Sequence, residues 1–404
     1  MAPEIIIVGL QAWHTDIGSN CKSIAMELSK RHRVLYINSP LDRNTMLKEN
    51  EDPNVRRHLD IREGIEPNLV EVFPNLWSYY PENILESINW IPYTPLFCLA
   101  NRINNRRFAQ DIRRAAALLD FKNYIVFNDN DIFRTFYLKD LLKPELYIYY
   151  SRDNLVGVDY WKRHGLELEP KHIAKADLGT ANSTYLTHYL EKYNSNATYI
   201  GQGCNLSLFD AELVQPLPED LESIPHPLIG FVGAINTIRL DPECIRELAL
   251  QRPAYSVVLV GPEDTWFAGC DLHDLPNVFF LGKKPMEVLP SYVAAFDVCI
   301  NPQKLNPVTV GNYPLKVDEY LAMGKPVVAT RTAAMDIFGA EVYTAEAPGD
   351  YPGLVDQALA EDNAAFRERR ILLARSHTWE SSVSLLEEAI EKALEQKKTV
   401  VEYN

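Results

Sequence analysis

Lys316 and Glu319 stand three residues apart inside the stretch GNYPLKVDEYLAMGKPVVAT, residues 311–330. On a helix that spacing puts an ammonium and a carboxylate on one face. Near a helix start, where the backbone dipole already favours negative charge, such a pair could receive a ligand's phosphate and its hydroxyls. A second set of candidates lies in the first half of the chain. His14, Asp16, Gly18 and Ser19 share one loop, and Asp129 and Asp153 closely follow apolar runs. An imidazole or carboxylate so placed can take a proton from a hydroxyl. Asp153 is the first choice for that role and His14 the next. Gly18 and Ser19 either let a ligand approach a helix N-terminus or, in the case of Ser19, simply cap the helix.

The elements that must position these groups follow from pattern. Pro314 suits the first turn of a helix, where a missing N–H costs nothing. Gly324 suits its C′ stop. Val327–Thr330 is a short β-branched run of the kind found in a buried parallel strand. Val317 and Leu321, four apart, face the core. At the other end of the chain, apolar runs at 4–9 and 33–38 flank a helix over 21–30, which makes a βαβ unit. Runs at 69–73, 123–128, 145–150, 178–181 and 198–201 continue the alternation. After Pro216, Pro218, Pro225 and Pro227 it restarts, with runs at 228–233, 255–260, 277–281, 298–302 and 327–330. The expected architecture is α/β. It has a Rossmann-like domain over 1–212, a proline-rich linker over 213–227, a second Rossmann-like domain over 228–376, and a C-terminal helical segment over 377–404 that packs back on the first domain. The first loop lacks G-x-G-x-x-G, so the dinucleotide fingerprint is absent.

At 404 residues the chain exceeds one core, in keeping with two domains. The net charge of −15 is concentrated in the second half. Residues 1–210 carry 24 Lys+Arg against 26 Asp+Glu, and residues 211–404 carry 16 against 29. An acidic half argues against a nucleic-acid binder, yet leaves room for one anionic ligand held by a few placed cations. The six cysteines are scattered and form no C-x-x-C, which argues against zinc and for reduced cytosolic thiols. No apolar window approaches the ~20 residues of a membrane span, so a cytoplasmic protein is expected. Residues 88–100 are apolar and aromatic, broken by Pro92 and Pro95. They precede a helix bearing Arg102, Arg106, Arg107, Arg113 and Arg114. Such a combination suits a peripheral contact with anionic lipid on the inner face of a membrane, through residues 88–114. The other reading is a core segment followed by a solvated helix.

Two such domains and the grammar of 311–330 resemble the GT-B fold glycosyltransferases. The likeness is to the bacterial family-4-type (group 1) and teichuronic-acid or xanthan-type enzymes of surface polysaccharide synthesis. It rests on Phe231–Gly233, Asn277–Gly282, Pro285–Asp297 and Tyr313–Thr330, and in the first domain it is architectural only. The resemblance implies two domains facing across a cleft, with a nucleotide-sugar donor in the second. It implies metal-independent, hexosyl-type transfer from a UDP or GDP type of sugar to a saccharide or lipid-linked acceptor, with no further cofactor. It also implies that Lys316 meets the diphosphate and Glu319 the ribose hydroxyls. Asn312, Tyr313, Pro314 and Leu315 would meet phosphate or sugar at the helix start, and Gly233 would let backbone approach the diphosphate. The chain departs from the pattern at Gly311, where the family has a glutamate eight residues ahead of the second one. That leaves the donor sugar and the stereochemistry unassigned. Two further readings stay open: a nucleotide-sugar epimerase of the same fold, and a glycosyltransferase-like scaffold without turnover.

Overall fold

The computed structural model describes residues 3–15, 19–48, 52–204, 206, 208–213 and 215–402. The chain divides into two compact units: unit 1 is Met1–Gly201 with Ser382–Asn404, and unit 2 is Gln202–Ser381.

Unit 1 is built on one eight-stranded sheet. Its strands are β1 (Glu4–Val8), β2 (Val34–Ile37), β3 (Leu69–Phe73), β4 (Leu76–Tyr79), β5 (Tyr124–Asp129), β6 (Leu146–Ser151), β7 (Leu178–Ala181) and β8 (Ala197–Tyr199). They lie in the order β3-β4-β2-β1-β5-β6-β7-β8. Every pair is parallel except the β3–β4 hairpin at one edge. The inner strands are buried along nearly their whole length, as a parallel sheet covered on both faces requires. β4 was not among the expected strands. Its four residues LWSY are defined by pairing with β2, after a turn in which Asn75 takes φ 63°, and that pairing is a tertiary effect. Ser19 caps the helix Asn20–Leu28, its Oγ accepting the Lys22 N–H. Asp16 and Gly18 lie outside the described residues.

The helix Thr94–Leu118 corrects the expectation for residues 88–100. Pro95 does not end a helix but sits in its first turn, where proline is tolerated. The helix therefore includes the second half of the aromatic stretch. Phe97, Asn101, Asn104, Asn105, Phe108 and Ile112 form its buried face.

Unit 2 carries a six-stranded, all-parallel sheet: β9 (Leu228–Val232), β10 (Ser256–Val260), β11 (Val278–Phe280), β12 (Val298–Asn301), β13 (Val327–Thr330) and β14 (Val342–Ala345). The order is β11-β10-β9-β12-β13-β14. The chain leaves β9 in one direction to build β10 and β11, then returns to its other side for β12. The carboxyl ends of β9 and β12 thus mark the point where the order reverses, a place where open α/β sheets bind ligands. The boundaries of the units differ from those expected at 212 and 376. Phe209 packs with Leu221 and Ile224 in the core of unit 2, and the Cys204 N–H donates to His377 O at 2.9 Å. Apolar residues inside the proline-rich stretch are therefore core of unit 2, although prolines made it look like a free linker.

Candidate functional site

The helix Leu315–Ala322 begins above the ends of β9 and β12. Pro314 is its N-cap residue, with φ −86° and ψ 66°, and no side chain caps the first turn. It stops at Gly324, which takes φ 73°. The Gly324 N–H donates to Leu321 O at 2.8 Å and the Lys325 N–H to Tyr320 O at 3.0 Å, the paired bonds that close a helix at a left-handed residue. Val317, Asp318, Tyr320 and Leu321 face inward and are fully buried. Tyr320 ties the helix to the strand end, since its hydroxyl accepts the Val232 N–H at 2.9 Å.

Beyond Val232 comes Gly233, with φ 152°. A Cβ on Gly233 would lie 2.2 Å from Lys316 Cε and 2.8 Å from Nζ, so the ammonium rests directly over this glycine. Gly261, at the end of β10, takes φ 156°, and a Cβ there would lie 1.7 Å from Gly233 O. Two side-chain-free positions thus meet below the lysine, at a place where only glycine fits.

These groups border a pocket of about 350 Å³ lined by Phe231, Asn312, Tyr313, Pro314, Leu315, Lys316 and Glu319, with Arg239, Asn301 and Thr309. The expected donor-binding residues are therefore brought together, Gly233 meeting them through its contact with Lys316. Lys316 and Glu319 share the pocket without forming an ion pair among the described residues, so both remain open to a ligand. Burial raises the pKa of Glu319; the Lys316 charge opposes this and the Asp318 charge adds to it. The arrangement offers cations and a helix start to an anion, and a carboxylate to hydroxyls.

Asp318 was missed in the sequence. It is fully buried and accepts from the Tyr313 hydroxyl at 2.6 Å and from His377 Nδ1 at 2.7 Å. It thus anchors a pocket residue to the segment leading into the last helix of the chain. The signal was present: residues 314, 317, 318 and 321 have the spacing of one helix face, and an acid within an apolar face needs a buried partner. Arg239 and Asn301 were missed because loop and strand topology, not local pattern, brings them to the pocket.

The candidate proton acceptors lie in unit 1. Asp153 follows β6 and accepts from Arg152 Nη1 at 2.8 Å. The same Arg152 donates through Nε to the buried Asp129, also at 2.8 Å, and Asp129 accepts the Leu10 N–H as well. Asp129 therefore serves to bind two strand ends together. His14 Nδ1 hydrogen-bonds the Tyr80 hydroxyl. Burial, followed by the Arg57 charge, lowers the pKa of His14, which keeps the ring neutral. Among the described residues no group of three or more His, Cys, Asp or Glu side chains is arranged to hold a metal, and no helix is long and apolar enough to cross a membrane.

Residues 226–360 match the family model of the group 1 glycosyl transferases. The second unit carries a group 1 glycosyltransferase domain. TuaH of Bacillus subtilis, whose name assigns it to teichuronic acid biosynthesis as a glycosyltransferase, is 30% identical over 242 residues. That match covers 57% of this chain and 60% of TuaH, so it spans about three fifths of the relative's length. Among solved structures, sucrose-phosphate synthase from Thermosynechococcus elongatus superposes with a TM-score of 0.64 at 15% identity, over 96% of this chain and 98% of its own. HepE from Anabaena, solved in complex with UDP, gives 0.65 at 14% identity, over 96% and 100%. These likenesses show that both units together have the GT-B fold. The group 1 glycosyltransferase domain encloses the whole of the pocket, from Phe231 to Glu319.

Proposed function

We propose that the protein is a glycosyltransferase that moves a hexosyl-type sugar from a nucleotide-diphosphate donor to a saccharide or lipid-linked acceptor in surface polysaccharide synthesis. The observation that carries this reading is the convergence of Lys316, Glu319 and the Gly233–Gly261 contact on one pocket at the sheet's switch point. UDP is the first choice of nucleotide, since HepE of the same fold was solved with it. Lys316 and the helix start would hold the diphosphate and stabilise the charge it gains as the glycosidic bond breaks. Glu319 would accept the ribose hydroxyls, and Asn312 to Leu315 would shape the wall beside the sugar. For the acceptor hydroxyl the candidate bases are Asp153 and then His14. Arg152 Nη1 holds the Asp153 carboxylate at 2.8 Å.

The reading includes no resident metal and no cofactor beyond the nucleotide sugar. It places the protein in the cytoplasm, at the inner face of a membrane through residues 88–114. The test is a thermal-shift comparison of UDP, GDP, ADP and CMP, followed by product analysis with and without acceptor. A nucleoside diphosphate at 100 times its Kd adds roughly 2.7 kcal/mol of stability. The absence of a shift with every nucleotide, at concentrations that saturate known transferases, defeats the assignment.

A further inference from the structure

One pocket of unit 1 is unassigned. It has a volume of about 630 Å³ and is walled by segments that follow β2, β4, β5 and β6. All four segments leave the carboxyl ends of parallel strands, where open α/β sheets bind their ligands. Trp90, Phe133 and Tyr160 give it aromatic walls and Asn89 supplies an amide, while the wall amides of Asn101 and Asn104 are bonded to Phe133 O and to the Glu86 backbone. Asn89 Nδ2 donates to Tyr160 O at 2.8 Å, while its Oδ1 is buried with no partner. Arg134 is held through Nε by Asp131, with its terminal nitrogens unengaged among the described residues. Aromatic faces beside an amide and a guanidinium fit a saccharide, which offers apolar ring faces and a rim of hydroxyls.

One wall of this pocket continues onto the surface. Trp90, at the rim, is 74% exposed, and it is followed by Tyr93, Leu96, Leu99 and Ile103, each at least half exposed. Leu96, Leu99 and Ile103 have the spacing of one helix face, opposite the buried face of Phe97, Asn101 and Phe108. A helix apolar on both faces implies something that covers the second one. Residues 94–103 run about 14 Å, the scale of a medium alkyl chain. The same helix carries five arginines and one acid in an otherwise acidic protein. Arg102 and Arg106 flank the stripe and are exposed, which suits an occupant with an anionic linkage or setting.

We propose that pocket and stripe bind one amphiphile, a saccharide head in the pocket with its lipid along Trp90, Tyr93, Leu96, Leu99 and Ile103. This rests on the transferase reading above and narrows its acceptor to a lipid-linked saccharide. The test uses the full chain without nucleotide, titrated with maltose and with dodecyl maltoside below its micelle concentration. Dodecyl maltoside binds at least tenfold more tightly than maltose, and the double substitution Leu99→Glu/Ile103→Glu erases the difference. Trp90→Ala weakens both ligands. Equal affinity for the two ligands, no binding of either, or dodecyl maltoside binding that survives the double substitution overturns the proposal. Sedimentation with phosphatidylglycerol vesicles separates the sources of lipid. Vesicle binding that the double substitution abolishes, with no binding of dodecyl maltoside, makes the stripe a membrane surface only and also overturns it. A UDP thermal shift on the same variants reads the donor pocket separately, so its loss in the unsubstituted chain counts against the transferase reading and not against this one.

Discussion

Glu319→Gln separates binding from stability with opposite signs. The carboxylate sits half-buried in the wall of the unit 2 pocket, with a raised pKa caused first by burial and with no hydrogen bond offsetting it among the described residues. A carboxyl group whose pKa rises on folding holds its proton more tightly in the folded state. Stability therefore falls as pH rises from the ordinary carboxylate value through the raised one, and the charged form is a cost at neutral pH. Glutamine removes that charge at almost constant volume, so the ligand-free variant melts at the same or a higher temperature at pH 7. With ligand the effect reverses. Charge-assisted hydrogen bonds are about twice as strong as neutral ones, so two ribose hydroxyls lose about 2 kcal/mol together. At ~1.4 kcal/mol per decade, UDP affinity falls about 30-fold. Calorimetry with UDP and a melting curve without it read the two halves. In the unsubstituted protein UDP affinity should also weaken as pH drops through the raised pKa, and Glu319→Gln should flatten that profile. Unchanged UDP affinity, or a clear loss of ligand-free stability, refutes the role given to Glu319.

Gly261→Ala forces a methyl group onto Gly233 O and into a backbone region costing roughly 1–3 kcal/mol, so both melting temperature and UDP shift drop. Gly233→Ala meets the same backbone cost but displaces the end of Lys316 rather than a backbone oxygen, so its melting temperature should fall less than that of Gly261→Ala while calorimetry shows a loss in UDP affinity. Asp318→Asn breaks the charged links to Tyr313 and His377 and costs about 1–3 kcal/mol, measurable by denaturant unfolding. In unit 1, Glu169 is buried against the Tyr149 and Tyr189 hydroxyls, and burial lifts its pKa to about 7. The shift from an ordinary glutamate predicts that Glu169→Gln gains roughly 3 kcal/mol over the unsubstituted chain as pH rises from about 4.5 to above 7. A stability difference that does not change with pH refutes it.

The sequence made most of the sheet strands and the helix Leu315–Ala322 readable because both are local patterns: β-branched runs for buried parallel strands, and a proline start and glycine stop for the helix. Lys316 and Glu319 stood out for the same reason, and Gly233 through the family resemblance. What escaped depends on contacts between distant segments. β4 exists because β2 lies beside it, and Arg239 reaches the pocket only once β9 and β12 are neighbours. The prolines of 213–227 suggested a free linker, whereas Leu221 and Ile224 show that a proline-rich path can still deliver side chains to a core. Pro95 misled in a similar way, since the same residue breaks a helix interior but begins a helix well.

Unit 1 is discontinuous, and its final segment supplies structure as well as length. His32 and Arg31 hydrogen-bond Glu387, and Gly201 O accepts from Ser382 Oγ at 3.4 Å. During synthesis, unit 2 can close while the partners of His32 and Arg31 are still in the ribosome. The first half of the chain must then wait, incomplete, for residues made more than 350 positions later. Unit 2 is, in effect, an insertion whose two ends meet through Cys204 and His377. A chain cut at those ends tests whether it folds alone, and a truncation just after Ser381 would leave the older-synthesised unit as the damaged one.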